Sequence, residues 1–255
     1  MEIGVCTGPE NADICYAAGA SFIEAHVQNF LRPADPLWVK PFEPQTLPIP
    51  IAAYNCLFPA DLKITGPTVD MNRIKAYAAR ACKRAKEMNS SILVFGSGGA
   101  RNIPDGWPRE KGEEQLVEVM RLLGPLARTL SLTIAMEPLH SGESNILNCI
   151  PVGMDYLRRA RTAGVSILAD FYHMALEDEP LDVLEETARM LSHVHVADPL
   201  GRIAPRPGGT NLRPFFAKLK AIGYDKRISL ECSWEDLKKQ LRPTLEFLRS
   251  EWEAA

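Results

Sequence analysis

Four residues in the second half of the chain recur in a pattern that suits chemistry. Glu137 closes LTIAME, Asp170 closes VSILAD, His195 lies near the end of SHVHVAD, and Glu231 near the end of RISLECS. They are 33, 25 and 36 residues apart, each gap about the length of one strand-plus-helix unit. Counting back by twos along each run gives Thr133/Ala135/Glu137, Ser166/Leu168/Asp170, His193/His195 and Ser229/Glu231 on one face. The opposite face reads Ile134/Met136, Ile167/Ala169, Val194/Val196 and Ile228/Leu230/Cys232. Three carboxylates and one imidazole therefore converge at one set of strand ends. Crowded, partly buried carboxylates repel one another, and either protonation or a divalent cation relieves them. Oxygen donors with a single imidazole and no thiolate suit Mn²⁺, Mg²⁺ or Co²⁺, with Zn²⁺ less favoured. A lone carboxylate at a strand end is commonly a cap or an ion-pair partner. Four with matched facing on consecutive strands argue for one divalent metal ion per chain.

Positioning such a set requires strands that end together. Short apolar, β-branched runs alternate with longer amphipathic ones along the whole chain. Eight strand candidates start at Glu2, Ser21, Pro50, Ser91, Leu132, Val165, Ser192 and Arg227. Between them, MNRIKAYAARACKRAKEM and EEQLVEVMRLLGPLARTL carry apolar residues at helical spacing. Asp70 and Asn211 stand at expected N-caps, and Gly164 and Gly223 where helices should stop. Eight strand–helix units in 255 residues, with no linker dividing them, predict a single-domain (β/α)8 TIM barrel over residues 1–255. The rival, an open doubly wound sheet, lacks its GxGxxG fingerprint; GSGGARN is the nearest approach. The Pro-rich stretch from Arg32 to Pro50 reads as an elaborated loop after the second strand.

The net charge of −3 provides no basic footprint for nucleic acid or an anionic membrane surface. No apolar run reaches membrane-spanning length, and Met1 leads straight into a strand rather than a signal peptide. Six cysteines without CxxC spacing read as reduced structural thiols, which suggests a cytoplasmic location. His26 and His140 read as ordinary polar residues, and His193 as a group one layer below the metal ligands. Arg101 reads equally as a mouth-lining or a surface arginine.

EPLHSGESN, ADFYHM, HVHVADPLGR and SLECSW resemble the sugar isomerase/epimerase branch of the xylose-isomerase-like TIM barrels. That branch includes ketose 3-epimerases, hydroxypyruvate isomerase and keto-inositol dehydratase. The resemblance implies that Glu137, Asp170, His195 and Glu231 hold one divalent ion, often Mn²⁺. It implies that Glu143, His173 and Arg202 contact substrate oxygens. It also implies that Glu137 and Glu231 transfer protons. The family's glycine-rich run followed by an acidic residue is PRPGGTN here, with Asn211 in the acidic place.

On an α-hydroxyketone, such a site stabilises an enediolate at the metal while one glutamate removes a proton and the other returns one. Return to the same carbon epimerises; return to the neighbouring carbon interconverts ketose and aldose. The expected partner is a small sugar-like molecule, with a homo-oligomer left open. Expulsion of a β-hydroxyl from the same enolate would make the protein a dehydratase, the strongest alternative. An abasic-site endonuclease of this fold needs a histidine-rich zinc cluster, and no histidine lies between His26 and His140. A Schiff-base aldolase needs a strand lysine, which none of the eight runs contains. A catalytically dead sugar-binding barrel would be expected to lose one of the two glutamates, and both are present.

Overall fold

The structure, a computed structural model, describes residues 1–187 and 189–255. Eight strands are present: β1 Glu2–Cys6, β2 Phe22–His26, β3 Ile51–Asn55, β4 Ile92–Phe95, β5 Thr133–Met136, β6 Val165–Asp170, β7 Leu191–Val196 and β8 Arg227–Leu230. Each pairs in parallel with the next, and β8 returns to β1, closing the barrel. The helices are α1 Ala12–Ala18, α2 Met71–Glu87, α3 Gly98–Arg101, α4 Arg109–Thr129, α5 Ile150–Ala160, α6 Phe171–Leu176, α7 Arg213–Ala221 and α8 Leu237–Glu253. Strands covered on both sides need apolar side chains on both faces, and most strand residues are buried here. None of the described helices is long and apolar enough to cross a membrane.

Asp70 and Gly223 act as expected, whereas Leu212 rather than Asn211 is the α7 N-cap and α5 stops at Ala160 with Arg161 as its C-cap, three residues before Gly164. The Asp70 carboxylate accepts the Asn72 and Arg73 N–H groups and caps α2. Gly164 and Gly223 take φ of +92° and +73°, where a side chain would be strained. Asn211 accepts the Arg213 N–H at 3.1 Å, one residue before the α7 cap position. The loop from Arg32 to Pro50 is tied down by Arg84 of α2, which donates to Leu31 O at 2.9 Å and Asp35 O at 2.7 Å. The same guanidinium stacks on Trp38.

Two apolar clusters result. The larger lies between the barrel and its helices; the smaller is Ala53, Ile92, Val94, Ala135 and Leu168 inside the barrel. Phe22 plugs the lower interior, and Gly4 makes room for it, since a Cβ there would lie 2.3 Å from the ring.

Candidate active site

The four converging residues all sit at the C-terminal mouth. Glu137 follows β5, and its N–H donates to Phe95 O at 3.3 Å. Its side chain fills the space left by Gly96, where a Cβ would lie 1.6 Å from Glu137 Oε2. Asp170 ends β6 and caps α6, Oδ1 accepting the Tyr172 N–H at 2.8 Å. Its Oδ2 is buried without a hydrogen-bond partner. His195, inside β7, directs Nδ1 at Glu137 Oε1 (3.1 Å) and Glu231 Oε2 (3.3 Å). Glu231 follows β8, its N–H donating to Val196 O at 3.2 Å, and Oε1 accepts from Asn55 at 3.3 Å. One ligand atom from each of Glu137, Asp170, His195 and Glu231 lies within 4.8 Å of the others.

The electrostatics describe a site short of positive charge. Burial, then the charges of Glu137 and Glu231, pushes Asp170 up to about 8. Burial and the Glu231 charge raise Glu137 as well. Burial works against Glu231 too, but His195 and Arg202 outweigh it and draw Glu231 down to about 2. Burial likewise opposes charge on His195, yet Glu24 and Glu231 hold it well above the usual imidazole range. A divalent cation fits this donor set: hard oxygens, one imidazole nitrogen, and a buried Asp170 oxygen with no hydrogen-bond partner.

Arg202 lies across the mouth. Its guanidinium donates to Glu143 Oε1 at 3.0 Å and Glu231 Oε2 at 2.5 Å, and stacks on Tyr172. Burial disfavours its charge, but Glu231, Asp170 and Glu143 hold its pKa above the ordinary arginine value. A cavity of about 340 Å³ is lined by Cys6, Cys56, Glu137, Glu143, Arg202 and Glu231, among others. His173 is buried beside it, Nε2 lying 3.6 Å from Asp170 Oδ2. Burial, followed by Arg202, pulls His173 down to about 3, so the ring is neutral. Its Nδ1 accepts the His140 backbone N–H at 3.1 Å and lies 2.9 Å from His140 Nδ1. With Nδ1 so occupied, the proton of His173 sits on Nε2.

Several side chains differ from the reading of the sequence. Glu24 was not singled out, yet it is fully buried and accepts from His193, His195 and Ser229. The signal was a charged residue amid the apolar run SFIEAHV. His140 orients His173 rather than standing apart, and His26 has a buried Nδ1 with no partner. Arg101 is not on the surface: it is fully buried beside the mouth end of β4, donating to Phe95 O at 3.1 Å, behind the residues that line the cavity. Cys232, expected outward, lines the mouth, because β8 ends at Leu230 and strand alternation ends with it. His193 lies below the mouth, as expected, against Glu24 at 2.7 Å.

A family model described as "Xylose isomerase-like TIM barrel" matches residues 13–251. The 3-dehydro-D-guloside 4-epimerase of Escherichia coli K12 is 28% identical over 143 residues, 54% of this chain and 54% of that protein. D-psicose 3-epimerase of Ruminiclostridium cellulolyticum is 24% identical over 182 residues, covering 68% of this chain and 60% of that one. The chain thus matches between half and two thirds of the length of these curated relatives. Among solved structures, D-psicose 3-epimerase with D-tagatose, from Clostridium cellulolyticum H10, superposes with a TM-score of 0.86. The superposition covers 99% of each chain at 16% identity, a likeness of fold.

Proposed function

The chain belongs to the xylose isomerase-like TIM barrel family, and we propose that it is a divalent-cation-dependent sugar epimerase or isomerase acting on a ketose or related α-hydroxycarbonyl compound. The observation that carries this reading is the pair Glu137 and Glu231. They stand on strands three apart, yet both reach His195 Nδ1, at 3.1 and 3.3 Å, and both line one cavity. The names of the curated relatives, epimerases of sugar substrates, support the substrate class.

Glu137, Asp170, His195 and Glu231 would hold the cation, which when bound draws electron density from substrate oxygens and acidifies the neighbouring C–H. The chain's own groups do the rest. Arg202 offers guanidinium N–H groups to substrate oxygens from a position already fixed by Glu143, Glu231 and Tyr172. His173 has its Nε2–H to donate. Glu143, on the rim, accepts from a substrate hydroxyl. One glutamate of the pair takes the proton from carbon, leaving an enediolate. The other returns a proton from the opposite face, which inverts that carbon, or at the adjacent carbon, which interconverts ketose and aldose. Either glutamate can begin, because the reaction runs in both directions.

The test is a panel of ketoses and keto-cyclitols incubated with protein and Mn²⁺ in D₂O, with products identified by NMR. The expected product is an epimer or aldose carrying deuterium at the reacting carbon. Loss of water with a new unsaturated-carbonyl absorbance would assign the site to a dehydratase. Efficient conversion without solvent label would indicate a hydride shift and contradict the glutamate pair.

A further inference from the structure

Beneath the mouth lies a carboxylate that the proton transfer does not use. Glu24, in the middle of β2, is 0% exposed. Its Oε1 accepts the Nε2–H of His195 at 3.0 Å. Its Oε2 accepts the Nε2–H of His193 at 2.7 Å and the Ser229 hydroxyl at 2.6 Å. Among the described residues no arginine or lysine pairs with Glu24; its only ionic partners are the two imidazoles. A carboxylate buried this deeply is costly unless its lone pairs are filled, and three donors from β7 and β8 fill them. That expense needs a reason, and the reason lies one atom further along.

An imidazole carries its single neutral-state proton on either ring nitrogen. Nδ1 of His195 faces two carboxylate oxygens, at 3.1 and 3.3 Å, either of which would draw the proton to that side. A proton on Nδ1 blocks the lone pair a cation needs. Only Glu24 competes for the proton from the Nε2 side. We infer that Glu24 is a positioning residue: its Oε1 holds a proton on His195 Nε2, so that Nδ1, aimed between Glu137 and Glu231, is the nitrogen whose lone pair a bound cation takes. His193 and Ser229 anchor the other oxygen, and the His193 ring stands edge-on to His195, 5.1 Å between centroids at 82°. Anchored at both oxygens, Glu24 cannot rotate away. The inference rests on the reading of Glu137, Asp170, His195 and Glu231 as cation ligands.

Glu24→Gln keeps the shape and presents one acceptor where two imidazoles donate, so an amide NH₂ meets a ring N–H. Calorimetric titration of the full chain with Mn²⁺ should then show affinity about 10–100-fold weaker than wild type, the usual cost of losing such a partner. Ser229→Ala, which leaves both imidazole contacts intact, should weaken it only a few-fold. ¹⁵N NMR of the Mg²⁺-loaded wild-type protein should place the His195 proton on Nε2. Wild-type Mn²⁺ affinity in folded Glu24→Gln, or a proton on Nδ1 in the loaded wild type, overturns the inference. Should Glu24→Gln fail to fold, Glu24→Asp keeps the charge but cannot span both imidazoles; the same loss is expected, and wild-type affinity there overturns it equally. A wild-type protein that takes up no Mn²⁺ is a different result: it overturns the cation reading itself.

Discussion

The layer of the barrel interior just below the mouth is built in two ways. On β3 to β6 it is Ala53, Val94, Ala135 and Leu168, an apolar plug. On β2, β7 and β8 it is Glu24, His193 and Ser229, a hydrogen-bonded cluster with Glu24 fully buried. Glu24 and Ala53 are direct neighbours in register, so the change from apolar to polar falls between β2 and β3. What rests on each half differs accordingly. His195 stands over Glu24 and is held from below. Glu137 and Asp170 stand over Ala135 and Leu168, which offer no polar atom from their side chains. Glu137 Oε1 is met from the side by His195 Nδ1, Asp170 Oδ1 by the Tyr172 N–H, and Asp170 Oδ2 has no hydrogen-bond partner. The apolar half sets the barrel's shape; the polar half sets the direction of an imidazole.

The sharpest test of this division compares losses of activity with losses of stability. Glu137→Gln and Glu231→Gln, on opposite halves, should each lower kcat by about 10²–10⁴-fold or more, since each removes an acid–base group. Neither should cost comparable stability, because both lie at the mouth rather than in the plug. Steady-state rates beside thermal melts check this, and near-wild-type kcat in either variant would remove it from the proton-transfer pair. Leu168→Ala should do the reverse, losing about 2–5 kcal/mol in denaturant melts through the cavity it leaves, with Mn²⁺ affinity close to wild type. A large loss of Mn²⁺ affinity in folded Leu168→Ala would show that the apolar half also aims ligands.

Smaller effects sharpen the comparison at the rim. His140→Ala removes the ring that meets His173 Nδ1 while leaving the backbone N–H in place. A single lost hydrogen bond of about 1 kcal/mol predicts a kcat/KM reduced up to about tenfold, with Mn²⁺ binding unchanged by titration. The smallest effect concerns Glu179, whose Oε1 accepts the Ile150 N–H at 2.8 Å at the start of α5. Burial pushes its carboxyl up to about 7 even though that hydrogen bond pulls the other way. A carboxyl raised in the folded state contributes stability that is full below its ordinary value and is lost as pH rises through about 7. Glu179→Gln keeps the acceptor and removes the titration. Wild type should therefore lose about 1 kcal/mol more than the variant between pH 5 and pH 8, a figure discounted for partial exposure. Parallel pH–stability curves would contradict it.

Eight strands and the facing of Glu137, Asp170, His195 and Glu231 were legible because alternation and strand spacing are local properties. Glu24 was harder to see. Its run, SFIEAHV, reads as one more barrel strand, and its partners lie 169, 171 and 205 residues away. The pairing of His140 with His173 depends on the path of the loop after β5, which periodicity does not describe. Arg101 is buried because GSGGARN folds into the short α3, which turns its side chain back onto Phe95 O at the C-terminal end of β4. Cys232 shows where counting by twos stops working: the rule holds to Leu230 and fails two residues on.

Elemental analysis of purified protein after Mn²⁺ loading and desalting tests the central claim most directly. The account predicts one divalent ion per chain in wild type, and its loss in the Asp170→Asn/His195→Ala double variant with the fold intact by circular dichroism. Full occupancy in that double variant would place the ion elsewhere and contradict the site.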